Sequence, residues 1–268
     1  MKVSCVRIRW FNDACYEIKL PDGKGILIDP HIRQSPYKSL DIGAVEAADY
    51  ILISHTHFDH VTDVGFLSEQ YDSRIFAPHL GGVELARCHN IPGYRMHLCS
   101  PGDSFELKDF RLECFRGKHT NLGADDCPEN WPENMKREGQ PPDTMTMNIL
   151  GSYEYLIYLI TLPSNFRILI WGGEAGCDAI KQARRFQPNI SIAQLPREDV
   201  GQVARLYEAI GGQMIFLHHH DSFIAKGLDG QTIIDETIAR TETLTPYTRI
   251  INPEKGRWYE VCLSAEKL

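Results

Sequence analysis

The apolar residues of the first 54 positions fall in short runs, 3–10, 15–20, 25–28 and 50–54, rich in β-branched side chains and separated by turn signals such as Pro21-Asp22-Gly23. They predict a meander of strands. Past residue 60 the period lengthens: Val64 and Leu67, then Val83, Leu85 and Ala86, lie at helical spacing within 61–71 and 80–89, with strand-like Ile75-Phe76-Ala77 between. Residues 104–115 carry Phe105, Leu107, Phe110, Leu112 and Phe115 around the polar pair Lys108-Asp109, the pattern of a hairpin or two short strands, and deliver the chain to Lys118-His119. Further on, 153–162, 167–171, 190–195 and 214–217 read as strands, and 178–186 and 200–210 as helices. Strands feeding helices in both halves predict an α/β fold, which a four-layer α/β/β/α sandwich accommodates.

Between the halves, residues 121–148 break the pattern, with Asp125, Asp126, Pro128, Glu129, Pro132, Glu133, Pro141 and Pro142 crowded together. A surface loop inserted in a single domain spanning 1–268 is expected there, of the kind that often walls an active site, with Trp131 and Met135 as candidate substrate contacts. A chain of 268 residues, 43% hydrophobic, has ample material for a core. Its net charge of -8 gives no broad attraction for nucleic acid or an anionic membrane, and no stretch is long and apolar enough to span a bilayer. The opening run, interrupted by Arg7 and Arg9, is not a secretory signal. The eight cysteines (5, 15, 88, 99, 114, 127, 177 and 262) form no C-x-x-C pair and read as reduced thiols of a cytoplasmic protein.

Chemistry concentrates in His55-Thr56-His57-Phe58-Asp59-His60, which follows the buried-strand run Tyr50-Ile51-Leu52-Ile53 and the small Ser54. If the backbone stays extended through Asp59, side-chain alternation puts His55, His57 and Asp59 on one face. A turn into the helix at Val61 then returns His60 toward a second position. Solvated surface histidines are the bland alternative. Four ionisable groups in six residues at a strand end are costly to bury alone. Imidazole with carboxylate suits zinc, manganese or iron.

This run resembles the H-x-H-x-D-H signature of the metallo-β-lactamase superfamily, and the rest of the chain offers similar segments in the family's order. Gly25-Ile26-Leu27-Ile28-Asp29-Pro30 resembles the strand ending in an aspartate that supports the metal loop without ligating, and His119 is similar to the third-motif histidine. Ile168-Leu169-Ile170-Trp171-Gly172-Gly173-Glu174 resembles the strand that ends in a metal-bridging aspartate, with glutamate in its place. In Met214-Ile215-Phe216-Leu217-His218-His219-His220-Asp221-Ser222-Phe223, aligning Ser222-Phe223 with the family's Thr-Phe selects His219 as the last ligand. Within the superfamily the chain is most similar to the group of ascorbate-6-phosphate lactonase and N-acyl phosphatidylethanolamine phospholipase D, although Asn12-Asp13 replaces that group's Gly-His.

The resemblance implies His55, His57 and His119 around one ion, Asp59, His60 and His219 around the other, and Glu174 between them, where it would bridge, bind one ion or sit behind the ligands. Two divalent ions, zinc first with manganese or iron as alternatives, would share a hydroxide and polarise the bond under attack. Asp59 thereby counts among the catalytic groups, and His220 is a candidate acid near the leaving group, against a bland reading as a packed or hydrogen-bonded ring. The implied activity is hydrolysis of an ester-type bond, a lactone or sugar-phosphate lactone first and a phosphodiester second. A metal-binding protein without turnover is the reading from another class. The implied partner is a small, anionic molecule, and the resemblance carries an expectation of homo-oligomers.

Overall fold

The structure, a computed structural model, describes residues 4–119, 142–196, 199–221 and 229–263. Alternation along the strands builds two sheets that share one core. In β1 (Ser4–Asn12), β2 (Cys15–Lys19), β3 (Gly25–Ile28) and β4 (Tyr50–Leu52), the side chains of Val6, Ile8, Trp10, Tyr16, Ile18, Ile26, Ile28, Tyr50 and Leu52 face inward. Leu27 and Ile51 face outward. With β5 (Arg74–Pro78), β6 (Met96–Cys99) and β14 (Trp258–Leu263) these strands form a seven-stranded sheet in the order β14-β1-β2-β3-β4-β5-β6.

The second sheet contains β7 (Ser104–Glu106), β8 (Arg111–Arg116), β9 (Leu156–Thr161), β10 (Arg167–Trp171), β11 (Ile190–Gln194), β12 (Met214–His218) and β13 (Arg249–Ile251), ordered β13-β12-β11-β10-β9-β8-β7. Its inner residues, among them Leu112, Tyr158, Ile160, Ile168, Ile192 and Phe216, close the core between the sheets. Helices α1 (Phe58–Val61), α2 (Val64–Tyr71) and α3 (His79–Cys88) cover the outer face of the first sheet through Val61, Val64, Leu67 and Leu85. Met147 of α4 (Pro142–Tyr153) joins that layer. Helices α5 (Cys177–Ala183), α6 (Val200–Ile210) and α7 (Gly230–Leu244) cover the second sheet through Ala179, Val203, Leu206 and Ile234. The architecture is an α/β/β/α sandwich with two seven-stranded sheets.

Four differences from the sequence reading have physical causes. The helix read over 61–71 is broken into α1 and α2, because the buried Asp63 turns its carboxylate to Ile32 N (2.6 Å), Arg33 N (2.9 Å) and Arg33 Nε (2.5 Å). The loop read over 121–148 ends in helix: α4 begins at Pro142, a residue whose fixed φ and missing N–H suit a first helical turn. Residues 120–141, with Trp131 and Met135, lie outside the described residues. Strand β14 pairs with β1 from the far end of the chain, and its register sets Cys5 opposite Cys262, where a disulfide joins them. That pair corrects the expectation of eight reduced thiols.

Two buried tyrosines stitch the sheets together on either side of the chemistry. Tyr158 of β9 donates its hydroxyl to the Ile53 carbonyl (2.7 Å), just ahead of His55, and Tyr16 of β2 donates to the Leu217 carbonyl (2.5 Å), just ahead of His218. The backbone adds Leu156 N to Ser54 O at 2.8 Å. Tyr158→Phe keeps the ring and removes the donor to a buried carbonyl, so it is expected to cost about 1–3 kcal/mol of stability. The measurement is the urea midpoint, which should fall with its slope unchanged.

Candidate metal centre

The loop after β4 is shaped by one buried carboxylate. Asp29 leaves the end of β3 with φ +43°, and its Oδ1 accepts from Ser54 N (2.7 Å) while Oδ2 accepts from Ser54 Oγ (2.6 Å) and from His60 Nδ1 (2.9 Å). Because the Ser54 hydroxyl donates to Asp29, its oxygen accepts from His55 Nδ1 at 3.0 Å. His55 Nε2 is left buried with no hydrogen-bond partner among the described residues, an atom that fits a metal ion. His57 Nε2 meets Ser152 Oγ at 2.8 Å. Three imidazoles thus commit one nitrogen each to the protein and keep the other for the site, the usual arrangement for metal-binding histidines.

Two groups result. Ligand atoms of His55, His57 and His119 lie within 4.8 Å of one another, as do those of Asp59, His60 and His219. The rings of His55 and His60, with centroids 3.9 Å apart, bring the groups side by side. His119 reaches the first group from the chain just past β8, and His219 reaches the second from the end of β12. His219 sits in the left-handed region (φ +61°), its N–H on the Asp13 carbonyl (2.8 Å) and its Nε2 3.4 Å from Asp59 Oδ2. Strand alternation does not place Asp59 beside His55 and His57. The backbone turns helical at Phe58, so Asp59 and His60 project together from α1 into the second group.

The electrostatics favour ligand-ready states at His55, His57 and Asp59. Burial, followed by the neighbouring histidines, holds His55 well below the ordinary imidazole range, and burial lowers His57 to about 3. Both imidazoles are therefore neutral, as metal ligation requires. Burial alone would raise Asp59, but His60 and the hydrogen bond from His219 hold it well below the usual carboxylate range. Burial opposes charge on His219 as well, yet its bond to Asp59 prevails and raises it to about 9. Neutral His55 and His57 in the first group and the ionised Asp59 in the second are donors for a borderline divalent ion, which on binding would displace the proton that Asp59 holds on His219.

Other sequence candidates lie elsewhere. Glu174 is in neither group: its Oε2 pairs with Lys118 Nζ (2.8 Å) and its N–H binds the Lys118 carbonyl (3.0 Å), which turns the acid toward the β8 side of the cleft. His218 is buried with Nε2 on the Trp171 carbonyl (3.1 Å). The candidate acid His220 is buried and stacked on Trp10 (4.7 Å), lining a pocket of about 330 Å³ with Tyr37, Asp221, Asn252 and Lys255 and with no residue of either group. Asp221 accepts from Asp13 N (2.9 Å), and Lys255 Nζ lies 3.1 Å from it. Asp13, in the altered Asn12-Asp13 pair, accepts from Asn12 Nδ2 (2.9 Å) and Ser35 Oγ (2.7 Å), so the pair anchors the turn that carries His219. His31, which the sequence leaves outside the motif as a structural or exposed ring, is buried with Nδ1 meeting Thr62 Oγ1 at 2.6 Å. Ser222 and Phe223, used to choose among the three histidines, lie outside the described residues.

Sequence reasoning also passed over Tyr155, which stacks on His55 (4.5 Å), and Asn148 and Ser152 of α4. The spacing of Asn148 and Ser152, four apart on one helical face, was a signal that the loop reading concealed.

Residues 7–136 match a family model described as "Beta-lactamase superfamily domain". A "UPF0173 metal-dependent hydrolase" of Polynucleobacter asymbioticus is 30% identical over 169 residues, 59% of this chain and 53% of that protein. The chain spans about half the length of the curated relatives it matches. Among solved structures, the metallo hydrolase Igni18 of Ignicoccus hospitalis superposes with a TM-score of 0.68 at 14% identity, covering 96% of this chain and 98% of that one. An isothiocyanate hydrolase from Delia radicum gut bacteria gives 0.64 at 15%, covering 94% and 98%. The fold is that of the metallo-β-lactamase proteins.

With its carboxylate held by Lys118, Glu174 has no share in either group. Glu174→Ala is expected to leave the metal content of the purified protein, measured by plasma mass spectrometry, at the wild-type value. A lost equivalent would put the side chain back among the ligands.

Proposed function

We propose that this chain, folded as a metallo-β-lactamase-type sandwich, is a metal-dependent hydrolase with a dinuclear centre: His55, His57 and His119 at one ion, Asp59, His60 and His219 at the other. The observation that carries the reading is the pair of adjoining groups, with the buried His55 Nε2 of the first lacking a hydrogen-bond partner among the described residues. The relatives named metal-dependent hydrolases and the superposable metallo hydrolase support it. So does the single domain we infer for 1–268, whose two sheets each contribute ligands.

When bound, such ions, zinc first with manganese or iron as alternatives, supply a hydroxide near neutral pH and polarise the bond being broken. The protein's own part is orientation. Asp29 and Ser54 fix the His55 and His60 rings, Ser152 engages His57, and the Asp13 carbonyl holds the backbone of His219. Asp59, kept ionised, is the acceptor placed to orient a nucleophile's proton at the second group. Tyr155, buried and stacked on His55, holds that ring from its other face. His220, packed on Trp10, does not enter the step.

For the substrate we propose an ester-type bond in a small, anionic molecule, with a lactone or sugar-phosphate lactone first, the bond class of the group that the sequence most resembles. The relatives' different bonds, an isothiocyanate among them, are theirs. Among the described residues no helix is long and apolar enough to cross a membrane. Homo-oligomers belong to the same proposal, and cytoplasmic residence is the expectation carried by reading the cysteines as reduced. The Cys5–Cys262 disulfide weighs against the cytoplasm, since such bonds persist in oxidising compartments. Denatured protein isolated under acid quench should show eight titratable thiols if the chain resides in a reducing compartment and two fewer if that bond forms in place.

The deciding experiment is metal content of protein purified without added metal, followed by assays on lactones and on a chromogenic phosphodiester. About two equivalents are expected, falling in His57→Ala and in Asp59→Ala, with lactone hydrolysis lost in both. Activity on the phosphodiester alone would replace the lactonase reading, and protein that takes up no metal after reconstitution would end the hydrolase one.

A further inference from the structure

Helix α4 grips the metal loop at three consecutive residues. The Thr56 hydroxyl donates to the Met147 carbonyl (2.8 Å), His57 Nε2 meets Ser152 Oγ (2.8 Å), and the Phe58 N–H donates to Asn148 Oδ1 (2.7 Å). The approach is close: a Cβ added at Gly151 would lie 2.7 Å from His57 N and 2.8 Å from His57 Cδ2, which only glycine allows. From the other side Glu154, just past the helix, accepts from Leu80 N (2.6 Å) and ties α4 to α3.

The direction of the His57 bond follows from its surroundings. The Cδ2–Nε2 edge of the ring lies against α4, so Nδ1 is the nitrogen left for the group with His55 and His119, and a ligating Nδ1 puts the ring proton on Nε2, which then donates to Ser152 Oγ. A neutral imidazole carries one N–H, and fixing it on Nε2 leaves the lone pair of Nδ1 for a ligand. The second group has other supports. His60 is held by Asp29, and His219 by the Asp13 carbonyl and Asp59. None of the hydrogen bonds from α4 given above reaches them.

We propose that Ser152 is a positioning residue that holds His57 as the Nε2–H tautomer and so sets the metal affinity of the His55, His57 and His119 group, leaving the second group unaffected. The proposal rests on the reading of the two groups as metal sites. Removing a hydrogen bond behind a ligating histidine lowers metal affinity by roughly 10–100-fold, and the geometry confines that loss to one ion of the two.

The test is zinc titration of the full chain against a chromophoric chelator, comparing wild type with Ser152→Ala and Ser152→Thr. In Ser152→Ala one equivalent should weaken roughly 10–100-fold while the other keeps its affinity, and Ser152→Thr, which retains the hydroxyl, should restore it. Nitrogen-15 shifts of the His57 ring in metal-free protein give a reading independent of metal and of activity: Nε2–H in wild type and in Ser152→Thr, a mixture of tautomers in Ser152→Ala. Equal weakening of both equivalents, unchanged affinities in a folded Ser152→Ala, or an unchanged tautomer would overturn the role of Ser152 while leaving the dinuclear reading intact. A wild type that binds no zinc would overturn that reading, and with it the affinity assigned here.

Discussion

A buried carboxylate is tolerable only when donors surround it, and the site depends on how Asp29 meets that condition. Its oxygens take up Ser54 N, Ser54 Oγ and His60 Nδ1, leaving the chain after β4 little freedom to place its histidines elsewhere. The Ser54 hydroxyl, spent on Asp29, can only accept from His55. One acid thereby orients two rings, through a direct bond to His60 and a relayed one to His55. The unpartnered nitrogen of His55 is the remainder of that network and the place where its chemistry is directed.

The second constraint is that the two groups draw on different sheets. His55, His57, Asp59 and His60 follow a strand of the first sheet, while His119 and His219 come from the second. Side chains from separate layers hold a fixed separation only if the layers cannot slide. The buried hydroxyls of Tyr158 and Tyr16 cross between the sheets immediately before His55 and His218, and they close gaps that apolar packing alone would leave adjustable. Helix α4 adds a third clamp from the outer face, on Thr56, His57 and Phe58.

This fold carries many reactions, so the scaffold does not choose the bond that is broken. The chain's departures from its resembled group lie around the site. Asp13 has turned inward to build the support of His219, and Glu174 has turned to Lys118. The oxygens of both acids serve partners other than the two groups.

Much of the fold was legible because the pleat imposes a period of two and the helix one of 3.6, and both periods are written in local order. The strands from 4 to 52, the hairpin at 104–116 and helix 200–210 follow from that. So does the concentration of histidines after Ile53, since no ordinary strand end tolerates so many titratable groups. Sequence did not reveal β14, whose partner lies at the opposite end of the chain, or α4, whose onset was hidden among prolines. Alternation alone set Asp59 beside His55 and His57, because it could not foresee the backbone coiling at Phe58, whereas the family resemblance grouped it with His60 and His219. Only the tertiary structure set Glu174 aside, turned His219 through a left-handed residue and put Ser152 behind His57. Those outcomes depend on which groups approach from elsewhere in the chain. Local order fixes the direction of a side chain along its own element, whereas its partners are fixed by packing between elements far apart in sequence.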